Sequence, residues 1–140
     1  MSIEKLYEIY LRYPQVQTDT RKISKGEIFF ALKGPNFNGN QFAKQALEMG
    51  AAWIVADEET GIKDERIFMV ENVLETLQLL ALHHRQQFKI PFIAITGSNG
   101  KTIVKEWLYQ LLHENFNIVR SPKSYNSQIG VPLSVWQMNE

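Results

Sequence analysis

Residues 96–102 read Thr96-Gly97-Ser98-Asn99-Gly100-Lys101-Thr102, and these types at this spacing suit a chain of phosphates. Gly97 and Gly100 admit backbone angles closed to other residues, so successive amide groups can turn inward toward phosphate oxygens, assisted by the positive end of a following helix. Lys101 would reach the β- and γ-phosphates, and the Thr102 hydroxyl would ligate a magnesium ion that bridges them. The usual G-x-x-x-x-G-K-S/T pattern needs a glycine five residues before Gly100, where this chain has Ile95. The loop is therefore a shortened variant. The plain alternative is a strand-turn-helix junction that happens to contain glycines and a lysine; the flanking strand and helix patterns favour the phosphate reading.

Such a loop needs a strand before it and a helix behind it. Phe92 to Thr96 is a nearly continuous apolar run, as in strands buried on both faces of a parallel sheet. Lys101 to about Asn115 follows with helical spacing, expected to bury Val104, Trp107, Leu108, Leu111 and Leu112. Asn117 to Ser121 reads as a strand, and Gly130 to Gln137 begins another helix. Upstream, Ile3 to Leu11 predicts a short amphipathic helix stopped by Pro14. Glu27 to Leu32 predicts a buried strand closed by the turn signal Lys33-Gly34-Pro35. A helix is expected from about Gln41 to Met49 with Gly50 as its stop, then a strand at Ala52 to Ala56 and a charged loop from Asp57 to Arg66. Ile67 to Val70 is a short strand, and Val73 to Phe88 a longer helix with Asn72 as N-cap. Strands alternating with helices define an α/β chain with a largely parallel sheet. The change of character near Phe88 to Pro91 divides it into a complete small domain over residues 1–89 and the opening of a second, truncated one over 90–140.

The remaining composition narrows the chemistry. The 140 residues are 44% hydrophobic and 21% charged, enough to bury a core. Fifteen Lys plus Arg balance fifteen Asp plus Glu, so no global field draws the chain to nucleic acid or to an anionic membrane. Cysteine is absent, which removes disulfides, thiolate zinc sites and cysteine nucleophiles and fits a reducing compartment. No apolar run reaches the length of a membrane span, and Met1 to Tyr10 lacks a signal-peptide core, so a cytoplasmic location is expected. His83, His84 and His113 have no ligand set around them and read as helix-surface or packing residues. Trp53, Trp107 and Trp136 lie in apolar patterns and read as core, and Glu58-Glu59 and Asp64-Glu65 as a solvated loop face.

Thr-Gly-Ser-Asn-Gly-Lys-Thr resembles the shortened T-G-x-N/K-G-K-T/S loop of the ATP-dependent Mur ligases and folylpolyglutamate synthetases. Thr18-Asp19-Thr20-Arg21, Gly26 to Gly34, and Asn38-Gly39-Asn40-Gln41-Phe42 resemble, in register, the D-S-R, G-x-x-F-x-A-L-x-G and D-G-H-x-F succession of the Mur ligases. Thr20 stands for the usual serine, Asn38 for aspartate and Asn40 for histidine. Tyr125-Asn126-Ser127-Gln128-Ile129-Gly130-Val131-Pro132 resembles the N-x-N-N-x-I-G-V-P segment of the branch that adds the terminal dipeptide, with Ser127 in place of the second asparagine. The spelling from Ser124 onward is similar to ligases fused to an alanine racemase.

The resemblance implies a small UDP-binding α/β domain followed by the first part of a P-loop parallel-sheet ATPase domain. It implies ATP and Mg2+ as cofactors, and UDP-N-acetylmuramoyl tripeptide and D-alanyl-D-alanine as substrates, the dipeptide being delivered by a region absent from these residues. Gly97, Ser98, Asn99, Gly100, Lys101 and Thr102 would hold the nucleotide, Thr102 also the metal. Thr20, Arg21, Asn40, Gln41, Asn126 and Ser127 would meet the UDP substrate, with Lys101 and Asn126 at the reacting end. From chemistry alone, Asp19 and Arg21 can equally be a local ion pair, Asn38-Gly39 a turn and Asn40 a helix cap. The acidic residue that helps hold magnesium, the lysine carried as a carbamate and the C-terminal domain have no counterpart here, so the chain alone is expected not to turn over substrate. The competing readings are a diamino-acid-adding Mur ligase, a non-catalytic UDP- or ATP-binding module, and a P-loop kinase or GTPase.

Overall fold

The computed structural model describes residues 2–122 and 125–139. Helix α1 (Ile3–Arg12) leads into β1 (Val16–Gln17), β2 (Ile28–Phe30), the small strands β3 (Lys33–Gly34) and β4 (Phe37–Asn38), α2 (Ala43–Glu48), β5 (Trp53–Ala56), β6 (Ile67–Met69) and α3 (Val73–Gln86). Two further helices follow, α4 (Lys101–Leu112) and α5 (Gly130–Val135). Strands β1, β2, β5 and β6 pair in that order as one parallel sheet, Ile28 opposite Val16 and Trp53, and Ile54 opposite Ile67.

The period-two alternation of the central strands sorts side chains onto two faces. Ile28, Phe30 and Val55 pack with Leu6, Tyr10, Leu77 and Leu80 under α1 and α3. Phe29, Ile54 and Ala56 pack with Ala43, Ala46 and Ile23 under α2. Both faces are covered, so these strands carry apolar residues at consecutive positions. Asn72 caps α3, its side-chain oxygen accepting from the Glu75 amide at 2.9 Å.

Several expectations change. Lys33 to Asn38 is an antiparallel ribbon, Thr20–Lys22 and Gly39–Phe42 are 3-10 turns, and the helix expected from about Gln41 starts at Ala43. Residues 92–96 and 117–121 form no strand. A strand needs neighbours for its N–H and C=O groups, and none of the described strands pairs with either segment. Helix α4 forms but buries none of its residues: Trp107 is 62% and Leu111 73% exposed, against the expected core placement. Its apolar stripe has no covering layer among the described residues.

The first piece is closed by residues from beyond position 128. Ile129 and Trp136 pack against its larger core, and Met138 is buried. The Trp136 ring lies 6.0 Å from Tyr10 and 5.9 Å from Phe30. Buried His84 ties this segment down, with Nε2 3.0 Å from the Met138 carbonyl and Nδ1 3.1 Å from the Tyr7 hydroxyl. A carbonyl only accepts, so Nε2 carries the proton and Nδ1 accepts from tyrosine. Burial lowers the His84 pKa and favours this neutral form.

Candidate functional site

The polar residues singled out in the first piece follow the carboxyl ends of adjacent parallel strands, where ligands of α/β sheets commonly bind. Thr20 and Arg21 lie just after β1, and Asn40 and Gln41 lie beyond β2 and the β3–β4 ribbon. Thr20 is buried, whereas Arg21 and Gln41 are exposed. Arg21 donates from Nε to Asp19 Oδ1 at 2.9 Å and from Nη2 to Oδ2 at 2.8 Å, so the local ion pair is real. The hydrogen bond from Arg21 holds the Asp19 pKa at about 2. This fork fixes the guanidinium while leaving it open to solvent, an arrangement able to meet a diphosphate.

Asn40 does not cap a helix. Its side chain, in a residue only 2% exposed, is turned wholly inward. Nδ2 donates to Asn38 Oδ1 at 3.0 Å and to Asp57 Oδ1 at 2.9 Å, and Oδ1 accepts from the Asp57 amide at 3.2 Å. Asn38 caps the 3-10 turn by accepting from the Asn40 amide at 3.0 Å. The Asn38 amide also donates to Glu58 Oε2 at 2.7 Å, and Lys33 bridges Asp57 and Glu58 at 3.2 and 3.0 Å. Glu58 is thus part of an ordered cluster, more than a solvated loop face. Burial acts to raise the Asp57 pKa, but hydrogen bonds from Asn40, Val73 N–H and Lys33 outweigh it and leave the group below its ordinary value. Asp57 was missed in the sequence because its partners are 16 to 24 residues away; only its place after an apolar strand hinted at a strand-end role.

The phosphate-loop candidates fold as a strap at the start of α4. Gly97 and Gly100 have φ of 142° and 78°, the left-handed region that favours glycine. Lys101 folds back so that its ammonium donates to the carbonyls of Gly97 and Ser98. Ser98 and Asn99 are exposed in this strap, and Thr102 occupies the first turn of α4. The first amides of a helix lack intrahelical acceptors, which suits an anion, and the hydroxyl of Thr102 is a hard oxygen donor of the kind magnesium takes. Among the described residues no group of three or more His, Cys, Asp or Glu is placed to hold a metal, so the fit for magnesium here rests on Thr102.

Asn126 and Ser127 are exposed just before α5. Ser127 Oγ accepts from the Gly130 amide at 3.0 Å, and Gln78 of α3 donates to the Gln128 carbonyl at 3.3 Å, anchoring this turn on the first piece. Ser124, part of the spelling compared with racemase-fused ligases, lies outside the described residues.

A parallel sheet covered by helices, with polar loops beyond its carboxyl edge and a glycine-hinged strap at a helix start, makes this a mixed α/β chain. The family model "Mur ligase family, catalytic domain" matches residues 12–88 and "Mur ligase middle domain" matches residues 95–140. The chain belongs to the Mur ligase family. It is 37% identical over 131 residues to the UDP-N-acetylmuramoyl-tripeptide--D-alanyl-D-alanine ligase of Synechocystis, covering 92% of this chain and 29% of that protein. It is 35% identical over 127 residues to the same ligase of Bacillus subtilis, covering 89% and 28%. A crystal structure of a MurF ligase from Thermotoga maritima in complex with ADP superposes with a TM-score of 0.83 at 35% identity, covering 90% of this chain and 29% of that one. MurF from Acinetobacter baumannii gives 0.85 at 25% identity, covering 99% and 33%. The chain spans less than a third of the length of the curated relatives described here. Among the described residues no helix is long and apolar enough to cross a membrane.

Proposed function

We propose that these residues are the N-terminal part of an ATP-dependent amide-bond ligase that joins D-alanyl-D-alanine to UDP-N-acetylmuramoyl tripeptide in peptidoglycan precursor synthesis, in the cytoplasm. Residues 1–89 form the UDP-binding domain and 90–140 the opening of the ATP-binding domain. The observation that carries the reading is the presence, on one chain similar to dipeptide-adding ligases over nearly its whole length, of a polar carboxyl edge and a glycine-hinged loop opening a helix.

In this reading the substrate's terminal carboxylate oxygen attacks the γ-phosphorus of ATP and ADP leaves. The amine of the dipeptide then attacks the acyl carbon, and phosphate departs as the amide forms. Lys101 leaves its loop carbonyls for the phosphates, and the strap amides share the developing charge; positioning and neutralisation carry such transfers. Magnesium, bound through Thr102, would screen the phosphate oxygens. Arg21 meets the diphosphate of the UDP group, Thr20 and Gln41 offer groups to uracil and ribose, and Asn126 and Ser127 face the peptide end. Asn40, spent on Asn38 and Asp57, supports the loop from within.

Calorimetric titration of UDP-N-acetylmuramoyl tripeptide tests this directly. The parent chain binds, and a Thr20→Ala, Asn40→Ala variant binds more weakly; equal binding by both removes the uridine assignment. Binding of ATP alone points to a generic P-loop protein.

A further inference from the structure

The residue that fixes the 38–41 loop lies outside every motif described above. Asp57 follows β5, its side chain only 5% exposed, and its two oxygens serve different elements. Oδ1 accepts from Asn40 at 2.9 Å and lies 3.2 Å from the Lys33 ammonium; Oδ2 accepts from the Val73 amide at 3.2 Å, at the start of α3. The Asp57 amide donates back to Asn40, so the two residues form a reciprocal pair. From the other side Gly39 presses on the backbone of Ala31 and Leu32, where an added Cβ would lie 2.6 Å from both the Ala31 carbonyl carbon and the Leu32 oxygen. The loop is therefore held between a backbone wall and one carboxylate.

We propose that Asp57 is a positioning residue for the nucleoside diphosphate: it holds the 38–41 loop, through Asn40, in the shape that presents Gln41 and the loop backbone to the uridine moiety. This rests on the uridine reading of the first domain. Asp57 itself touches no ligand. It supplies the acceptor that Asn40 Nδ2 needs in a place closed to water, and a neutral amide there turns a donor toward a donor and abandons Lys33.

The probes are UDP, and ATP with magnesium, titrated calorimetrically onto the 140-residue chain and onto Asp57→Asn, Asn40→Ala and the double variant. Each single variant is expected to lose about tenfold in UDP affinity, the double variant no more than the weaker single, and ATP affinity to stay within about twofold. That pattern separates positioning from general destabilisation, which weakens both ligands together. Undiminished UDP binding by folded Asp57→Asn, losses that multiply in the double variant, or a parallel loss of ATP binding overturns the proposal. Should Asp57→Asn not fold, Asn40→Ala decides alone, and unchanged UDP affinity overturns it. A parent chain that binds no UDP removes the uridine reading itself, a result distinct from failure of the variants.

Discussion

Replacing Gly39 with alanine adds one methyl group where the structure has no room. The new Cβ would lie 2.6 Å from the Ala31 carbonyl carbon and the Leu32 oxygen and 2.8 Å from Ala31 Cα. Carbon atoms rest about 3.5–4.0 Å apart, so the loop must retreat by about 1 Å. All three obstacles are backbone atoms, and Ala31 sits buried beside β2, so the wall cannot turn aside. Retreat breaks the Gly39 amide's hydrogen bond to the Leu32 carbonyl, 2.9 Å, and strains the Asn40–Asp57 pair. Overpacking costs about 1–3 kcal/mol and a lost hydrogen bond about 1 kcal/mol, giving roughly 2–4 kcal/mol in all. Gly34→Ala is the control, because nothing lies within 4 Å of its added Cβ. Urea titration followed by circular dichroism should show Gly39→Ala with a clearly lower midpoint and Gly34→Ala within about 0.5 kcal/mol of the parent. Equal midpoints for Gly39→Ala and the parent refute the close-approach reasoning and with it the clamped loop.

Acidification should destabilise the chain in two windows. His84, its pKa lowered by burial, contributes stability fully above its ordinary value near 6.5 and loses it as pH falls toward the folded value; Asp19, with a pKa of about 2, and Asp57, also lowered, lose theirs below about 3.8. In both windows the unfolded chain binds more protons, and denaturant midpoints that rise on acidification contradict the assignment. Trp107→Ala should change the stability of this chain by less than about 0.5 kcal/mol, because the ring is exposed; a loss above about 2 kcal/mol in urea titration shows the α4 face to be covered. Incubated with ATP, magnesium and both substrates, the chain alone should give no amide product by mass spectrometry, and measurable ligation contradicts that expectation.

Much of the first piece was legible because period and position determine it. The Val73 stripe with Asn72 before it predicts α3 and its cap, and the apolar runs at Glu27 to Leu32 and Ala52 to Ala56 predict the strands found there as β2 and β5. What escaped depends on partners remote in sequence. The Asn40–Asp57 pair joins two loops 17 residues apart, and no local rule sets a buried amide against a particular carboxylate. Helix α4 was legible as a helix, but the spacing of Val104, Trp107 and Leu111 says only which side is apolar, never what covers it. The ion pair of Asp19 and Arg21 illustrates the converse: the bland reading of these residues was correct, because their spacing alone brings the two charges together.

The most direct test follows the backbone amides of the isotope-labelled chain by nuclear magnetic resonance while UDP, and then ATP with magnesium, are added. UDP should shift amides at 18–21 and 38–41 and leave 97–102 in place, and ATP with magnesium should then shift 97–102. UDP that moves only 97–102, or ATP that leaves those amides unmoved, contradicts the division of this chain into a uridine edge and a phosphate loop.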